Sequence, residues 1–212
     1  MSRPLVITDC DEVLLHMVRH FADWLGREHD IDFALEGDPF VQSMTRRASG
    51  ETVGEKEVWA LLGGFFDTQM DSQTEIAGAV AAITELQRDA DVVVLTNLTD
   101  DRNAARKRQL ERVGITAPIY TNQGPKGGAL DAIVADLQPG RAVFIDDIAG
   151  HHASAAKHSP AVFRLHFCGE PAVAPHIPCA HKKGDAHARI DNWGEALPWI
   201  RKTLFEEESH EH

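Results

Sequence analysis

Three short apolar runs, each closing on polar or acidic residues, constrain the fold of this chain more than any other feature. Leu5-Val6-Ile7 runs into Thr8-Asp9, Val92-Val93-Val94-Leu95 into Thr96-Asn97, and Ala142-Val143-Phe144-Ile145 into Asp146-Asp147. Unbroken, β-branched stretches without alternation are the pattern of strands covered on both faces, as in a parallel sheet. Pro118-Ile119-Tyr120 and Val162 to Phe167 read as two further strands. Helical stripes separate them: Ile76, Val80, Ile83 and Leu86 before the second run, and Leu130, Ile133, Val134 and Leu137 before the third. Asp101 to Val113 reads as a more polar helix on the outer surface. This alternation predicts a Rossmann-like, doubly wound, mostly parallel α/β sheet. The C-terminal ends of its strands share one edge, where ligands bind, so the polar endings of the three runs converge there.

The rhythm breaks between Leu14 and Asp71, where no strong strand is visible. Met17 to Arg27 and Glu55 to Phe66 read as helices, with Phe21, Trp24, Leu25, Trp59, Leu62, Phe65 and Phe66 as apolar contacts and Asp38-Pro39 and Gly50 as breaks. The predicted organisation is a core of residues 1–13 and 72–205, a small helical insertion over 14–71, and a frayed tail over 206–212.

The chain has 212 residues, with 21 Lys plus Arg against 33 Asp plus Glu and a net charge of -12. That balance argues against a nucleic-acid partner, whose affinity comes from cations placed on phosphates. No apolar run approaches the roughly 20 residues of a membrane span, and the start lacks the apolar stretch of a signal peptide. Cys10, Cys168 and Cys179 are too few and too scattered for a disulfide framework, so a reducing cytoplasm is the expected location.

Asp9, Asp11 and Glu12 place three carboxylates within four residues at the end of a buried run. Crowded like charges repel, and burial raises their pKa values, so something must offset the cost. Thr96 closes the second run, Lys126 sits in Gly124-Pro125-Lys126-Gly127-Gly128 before a helix, and Asp146-Asp147 closes the third run. The flanking glycines let backbone and ammonium approach a phosphate, and the segment is not a Walker loop.

This ordered set, over residues 4 to 150, resembles the haloacid dehalogenase superfamily of phosphohydrolases. The family has an apolar strand followed by Asp-x-Asp, a strand ending in Ser/Thr, a Lys before a helix and a strand followed by paired acids. The insertion after the first strand resembles the family's cap domains. The resemblance implies that Asp9 is the nucleophile, forming an aspartyl-phosphate, and that Asp11 is the general acid and then the base for water. It implies that Thr96, Asn97 and Lys126 hold the phosphoryl group. It further implies Mg²⁺ held by Asp9, the Asp11 carbonyl and Asp147, with Asp146 beside them. Such a hard cation takes oxygen ligands and keeps the acids ionised. An acid at position 11 separates the phosphatases and phosphotransferases from the dehalogenases proper.

The expected function is therefore Mg²⁺-dependent hydrolysis of a small phosphorylated metabolite. A phosphotransferase or mutase with the same intermediate is one alternative, and a non-catalytic phosphate-ligand sensor on the same fold is another. Several of the 12 histidines fall late in the chain, among them His151, His152, His158, His166, His176, His181 and His187. Their spacing with Cys168 and Cys179 matches no tight zinc pattern, so no second metal site is expected. Gly169 to Ala188 reads as a surface loop near the site. Met17, Phe21 and Trp24 read as core, and Cys10 as structural.

Overall fold

The structure is a computed structural model that describes residues 2–35 and 40–206; Asp38-Pro39 and the tail from Glu207 onward lie outside the described residues. In chain order the strands are β1 (Leu5–Thr8), β2 (Ile31–Phe33), β3 (Met44–Arg46), β4 (Asp91–Thr96), β5 (Ile119–Thr121), β6 (Ala142–Asp146), β7 (Phe163–His166) and β8 (Ala188–Arg189). The helices are α1 (Val18–Trp24, continued by a π turn over Leu25–His29), α2 (Glu55–Gln69), α3 (Ala79–Asp89), α4 (Asn103–Val113), α5 (Gly127–Leu137), α6 (Ala149–His158) and α7 (Trp193–Phe205).

Six strands form one parallel sheet in the order β5-β4-β1-β6-β7-β8. β1 lies between β4 and β6, so the chain winds outward first on one side of it and then on the other. That places a topological switch point at the C-terminal end of β1. The apolar runs are the buried centre of this sheet. Val6, Val94, Val143 and Ile145 pack with α3 and α7, and Leu5, Ile7, Val93, Leu95 and Phe144 pack with α5 and α6. Both faces are covered, which accounts for the missing alternation.

Residues between β1 and α3 add a second apolar cluster around Phe21, Trp24, Phe65 and Phe66. Leu98, directly after β4, packs in it, and Val18 packs with Cys168 and Val173, after β7. Both contacts lie past the C-terminal ends of sheet strands. Leu14 and Leu15 belong instead to the main cluster under the sheet.

Four sequence expectations change. The segment without a strong strand contains the antiparallel pair β2–β3, whose three-residue strands are too short to show a period. The sheet gains β8, two residues long. Gly169 to Ala188 is not merely a surface loop, because Glu170, Val173, Ala180 and Ala186 are buried. The polar helix α4 buries Arg106, Gln109 and Leu110, since Arg106 pairs inside the molecule. Among the described residues no helix is long and apolar enough to cross a membrane.

Candidate active site

Parallel pairing sets the site. Thr8 is level with Val94 on β4 and Ile145 on β6, and Asp9 N donates to Ile145 O at 2.8 Å. The acids following β1 and ending β6 are thereby brought side by side. Donor atoms of Asp9, Asp146 and Asp147 lie within 4.8 Å of one another, and all three side chains are buried.

Lys126 reaches this cluster from the start of α5. A Cβ on Gly127 would stand 2.4 Å from Ser154 O, so only glycine lets α5 begin this close to α6. The Lys126 side chain is fully buried, with Nζ 2.7 Å from Asp9 Oδ1 and 2.7 Å from Asp146 Oδ2. Asp9 Oδ1 also accepts from Cys10 N at 2.7 Å, and Asp146 Oδ1 from Ile148 N at 2.8 Å.

Electrostatics follow from burial and crowding of the acids. Burial pushes Asp9 up to about 7; Lys126 opposes this, while Asp146 and Asp11 add to it. Asp147 is held well above the usual carboxylate range by burial, then by the charges of Asp146, Asp9 and Glu12. Asp146 falls below its ordinary value: burial alone would raise it, but the charge and hydrogen bond of Lys126 together with His151 and His152 outweigh burial. Fully ionised, three carboxylates face a single ammonium. The excess of two negative charges, on oxygen donors, suits one hard divalent cation.

Thr96 closes β4 with 1% exposure, and its Oγ1 has no hydrogen-bond partner among the described residues. A buried hydroxyl left unpaired is costly unless a ligand meets it. Asn97 bonds the Gly124 carbonyl at 3.0 Å, joining the ends of β4 and the Lys126 loop, and Nδ2 is 3.4 Å from His151 Nε2.

Asp11 stands apart from the three acids. Its carboxylate accepts from Arg106 Nη2 at 3.0 and 2.8 Å and from Gln73 Nε2 at 2.9 Å. Asp146, not the Asp11 side chain, completes the carboxylate cluster. Arg106 is fully buried, also bonds Gln109 at 2.9 Å, and lies over the Phe66 ring.

Sequence reading missed two supporting histidines. His152 Nε2 lies 2.9 Å from Asp146 O, and His166 Nε2 lies 2.7 Å from Asp147 O. The two rings, 5.1 Å apart, brace the backbone of the paired acids. His166 Nδ1 accepts from Ala180 N at 2.9 Å, so the late segment secures that ring. The only signal in the sequence was the placement of both histidines within twenty residues of Asp146-Asp147.

No protein-family model and no curated protein matches the sequence. Solved structures do resemble it. A haloacid dehalogenase-like hydrolase from Streptococcus pneumoniae is 12% identical with a TM-score of 0.65, over 94% of this chain and 98% of that one. A protein assigned as a beta-phosphoglucomutase from Thermotoga maritima is 13% identical with a TM-score of 0.64, over 96% and 100%. A protein assigned as a haloacid dehalogenase-type hydrolase, YfnB from Bacillus subtilis, bound to magnesium, is 15% identical with a TM-score of 0.58, over 94% and 99%. The chain thus has the fold of the haloacid dehalogenase-like hydrolases, with buried acids gathered at the switch point of its sheet.

Proposed function

We propose that this protein is a Mg²⁺-dependent phosphomonoester hydrolase acting through an aspartyl-phosphate on Asp9. One observation carries the reading: Lys126 bridges Asp9 and Asp146 at 2.7 Å while Asp147 adds a third buried acid to the cluster. The donor set fits Mg²⁺, with Asp9 and Asp147 as holding side chains and Asp146 beside them. When bound, the ion would offset the charge of the acids and of a phosphate.

In this reading a carboxylate oxygen of Asp9 forms the new bond to phosphorus while the ester P–O bond breaks. Lys126, Asn97 and the unpartnered Thr96 hydroxyl hold the phosphoryl oxygens. Asp11 gives its proton to the departing oxygen, then takes one from the water that releases phosphate and regenerates Asp9. This requires Asp11 to leave Arg106 and take up a proton from solvent before it meets the substrate. Residues 14–71 act as a cap, a role supported by the packing of Leu98 and Cys168 against that segment. The likeness to a protein assigned as a phosphomutase keeps phosphoryl transfer to a second hydroxyl as the other outcome.

The test is a panel of phosphorylated metabolites with the full chain and Mg²⁺, read as released phosphate. Release with wild type and none with Asp9→Asn is expected. Turnover retained by Asp9→Asn would remove the proposed nucleophile.

A further inference from the structure

A second group of side chains with metal-ligating chemistry lies beside the site and takes no part in the proposed reaction. Donor atoms of Glu12, His16 and Glu170 lie within 4.8 Å of one another, all from buried residues. Three features distinguish the group from an ordinary acidic patch.

The first is Glu12. It is 2% exposed and stands at φ 60°, a left-handed conformation that glycine adopts freely and other residues rarely. Its Oε1 accepts from Met17 N at 2.9 Å and Val18 N at 2.6 Å, satisfying the start of α1. Its Oε2 is buried with no hydrogen-bond partner among the described residues. A buried carboxylate oxygen without a donor calls for a cation or a proton.

The second is the backbone around the group. Gly169 N donates to Glu12 O at 2.7 Å, which ties the turn after β1 to the loop after β7 and holds Glu170 against the group. The separation of the donors is thus set by the fold and not by flexible surface chains.

The third is the chemistry of the donors. His16 Nδ1 lies 3.0 Å from Glu170 Oε2. Burial holds the His16 pKa below its ordinary value, keeping the ring in the neutral form that ligates metals. Two carboxylates and an imidazole differ from the all-oxygen set that Mg²⁺ prefers; they suit zinc and similar borderline ions.

Arg19 is the competitor. Its Nε and Nη2 reach Glu170 at 2.5 and 3.0 Å, and Ala172 N takes Oε1 at 3.1 Å. The Arg19 side chain is 48% exposed, so it can release Oε2 and turn to water.

We propose that Glu12, His16 and Glu170 form a second divalent-metal site, selective for zinc-like ions over Mg²⁺, that fastens the turn after β1 and the start of α1 to the loop after β7. It stands independently of the phosphatase reading.

The test is a zinc titration of the full chain against a chromophoric zinc indicator, with excess Mg²⁺ present. One equivalent of Zn²⁺ is expected to bind. His16→Gln and Glu170→Gln should each weaken it at least tenfold, and Asp147→Asn should leave it unchanged. Arg19→Gln should tighten it, because a competitor is removed; a purely structural ion pair would give no such gain. Absence of stoichiometric zinc binding overturns the proposal, as does loss of binding in Asp147→Asn with retention in His16→Gln. Should the histidine variant fail to fold, X-ray absorption of the zinc-loaded wild type decides. One imidazole with oxygen ligands supports the site, and sulfur ligands or no imidazole overturns it.

Discussion

Lys126 and Asp146 form a salt bridge of 2.7 Å in which neither side chain is exposed, and the same ammonium lies 2.7 Å from Asp9. Removing one partner of a buried pair leaves an uncompensated charge and typically costs about 3–5 kcal/mol. Lys126→Ala is therefore expected to lose about 3 kcal/mol of stability as well as activity, with part of the stability restored by Mg²⁺. Denaturant unfolding with and without Mg²⁺ measures both effects. A midpoint equal to wild type would contradict the buried bridge.

Thr96 should behave in the opposite way. Its Oγ1 is buried and unpartnered among the described residues, so Thr96→Val removes an unsatisfied group at constant shape. The free protein should hold or gain stability, by up to about 1 kcal/mol. Phosphate release should fall, since the hydroxyl is proposed to meet a phosphoryl oxygen. Paired melting and turnover assays check this; a clear loss of stability without substrate would show that the hydroxyl already had a partner.

Asp9→Asn and Asp11→Asn should fail differently on p-nitrophenyl phosphate, whose leaving group needs little protonation. Asp9→Asn should form no covalent phosphate. Asp11→Asn keeps the nucleophile and loses the base, so rapid-quench mixing should show a burst of about one product per site before slow turnover. It should also be less stable, because buried Arg106 would lose its carboxylate partner. A burst from Asp9→Asn would overturn the assignment.

His166 should make folding sensitive to acid. Burial first, then the charge of Arg189, push its pKa down to about 4, against about 6.5 when unfolded. A depressed folded-state value means the unfolded chain binds the proton more readily. The stability involved is complete above about pH 6.5 and is lost as pH falls toward 4. His166→Gln removes the titrating group and should show a shallower fall in thermal midpoint across that window. Identical slopes for the two proteins would refute the linkage.

What the sequence determined by itself was whatever depends on neighbours along the chain. The runs that became β1, β4 and β6 are apolar because both faces of a parallel sheet are buried, and the stripes of α3 and α5 repeat at the helical period. Asp9, Thr96, Lys126 and Asp146-Asp147 were legible for the same reason. Each stands at the end of a recognisable element, and a parallel sheet gathers strand ends at one edge.

Tertiary structure alone decided the pairings between residues far apart in the chain. Nothing in Asn103–Val113 marks Arg106 for burial; Asp11, 95 positions earlier, makes it possible by neutralising the guanidinium. The same holds for the imidazoles that brace the carbonyls of Asp146 and Asp147, and for Glu12 meeting Glu170 across the sheet edge. A hydrophobic period is written locally because every residue of an element shares one environment. A buried polar contact is a single pair, and its partner is known only once the chain has closed the loop between them.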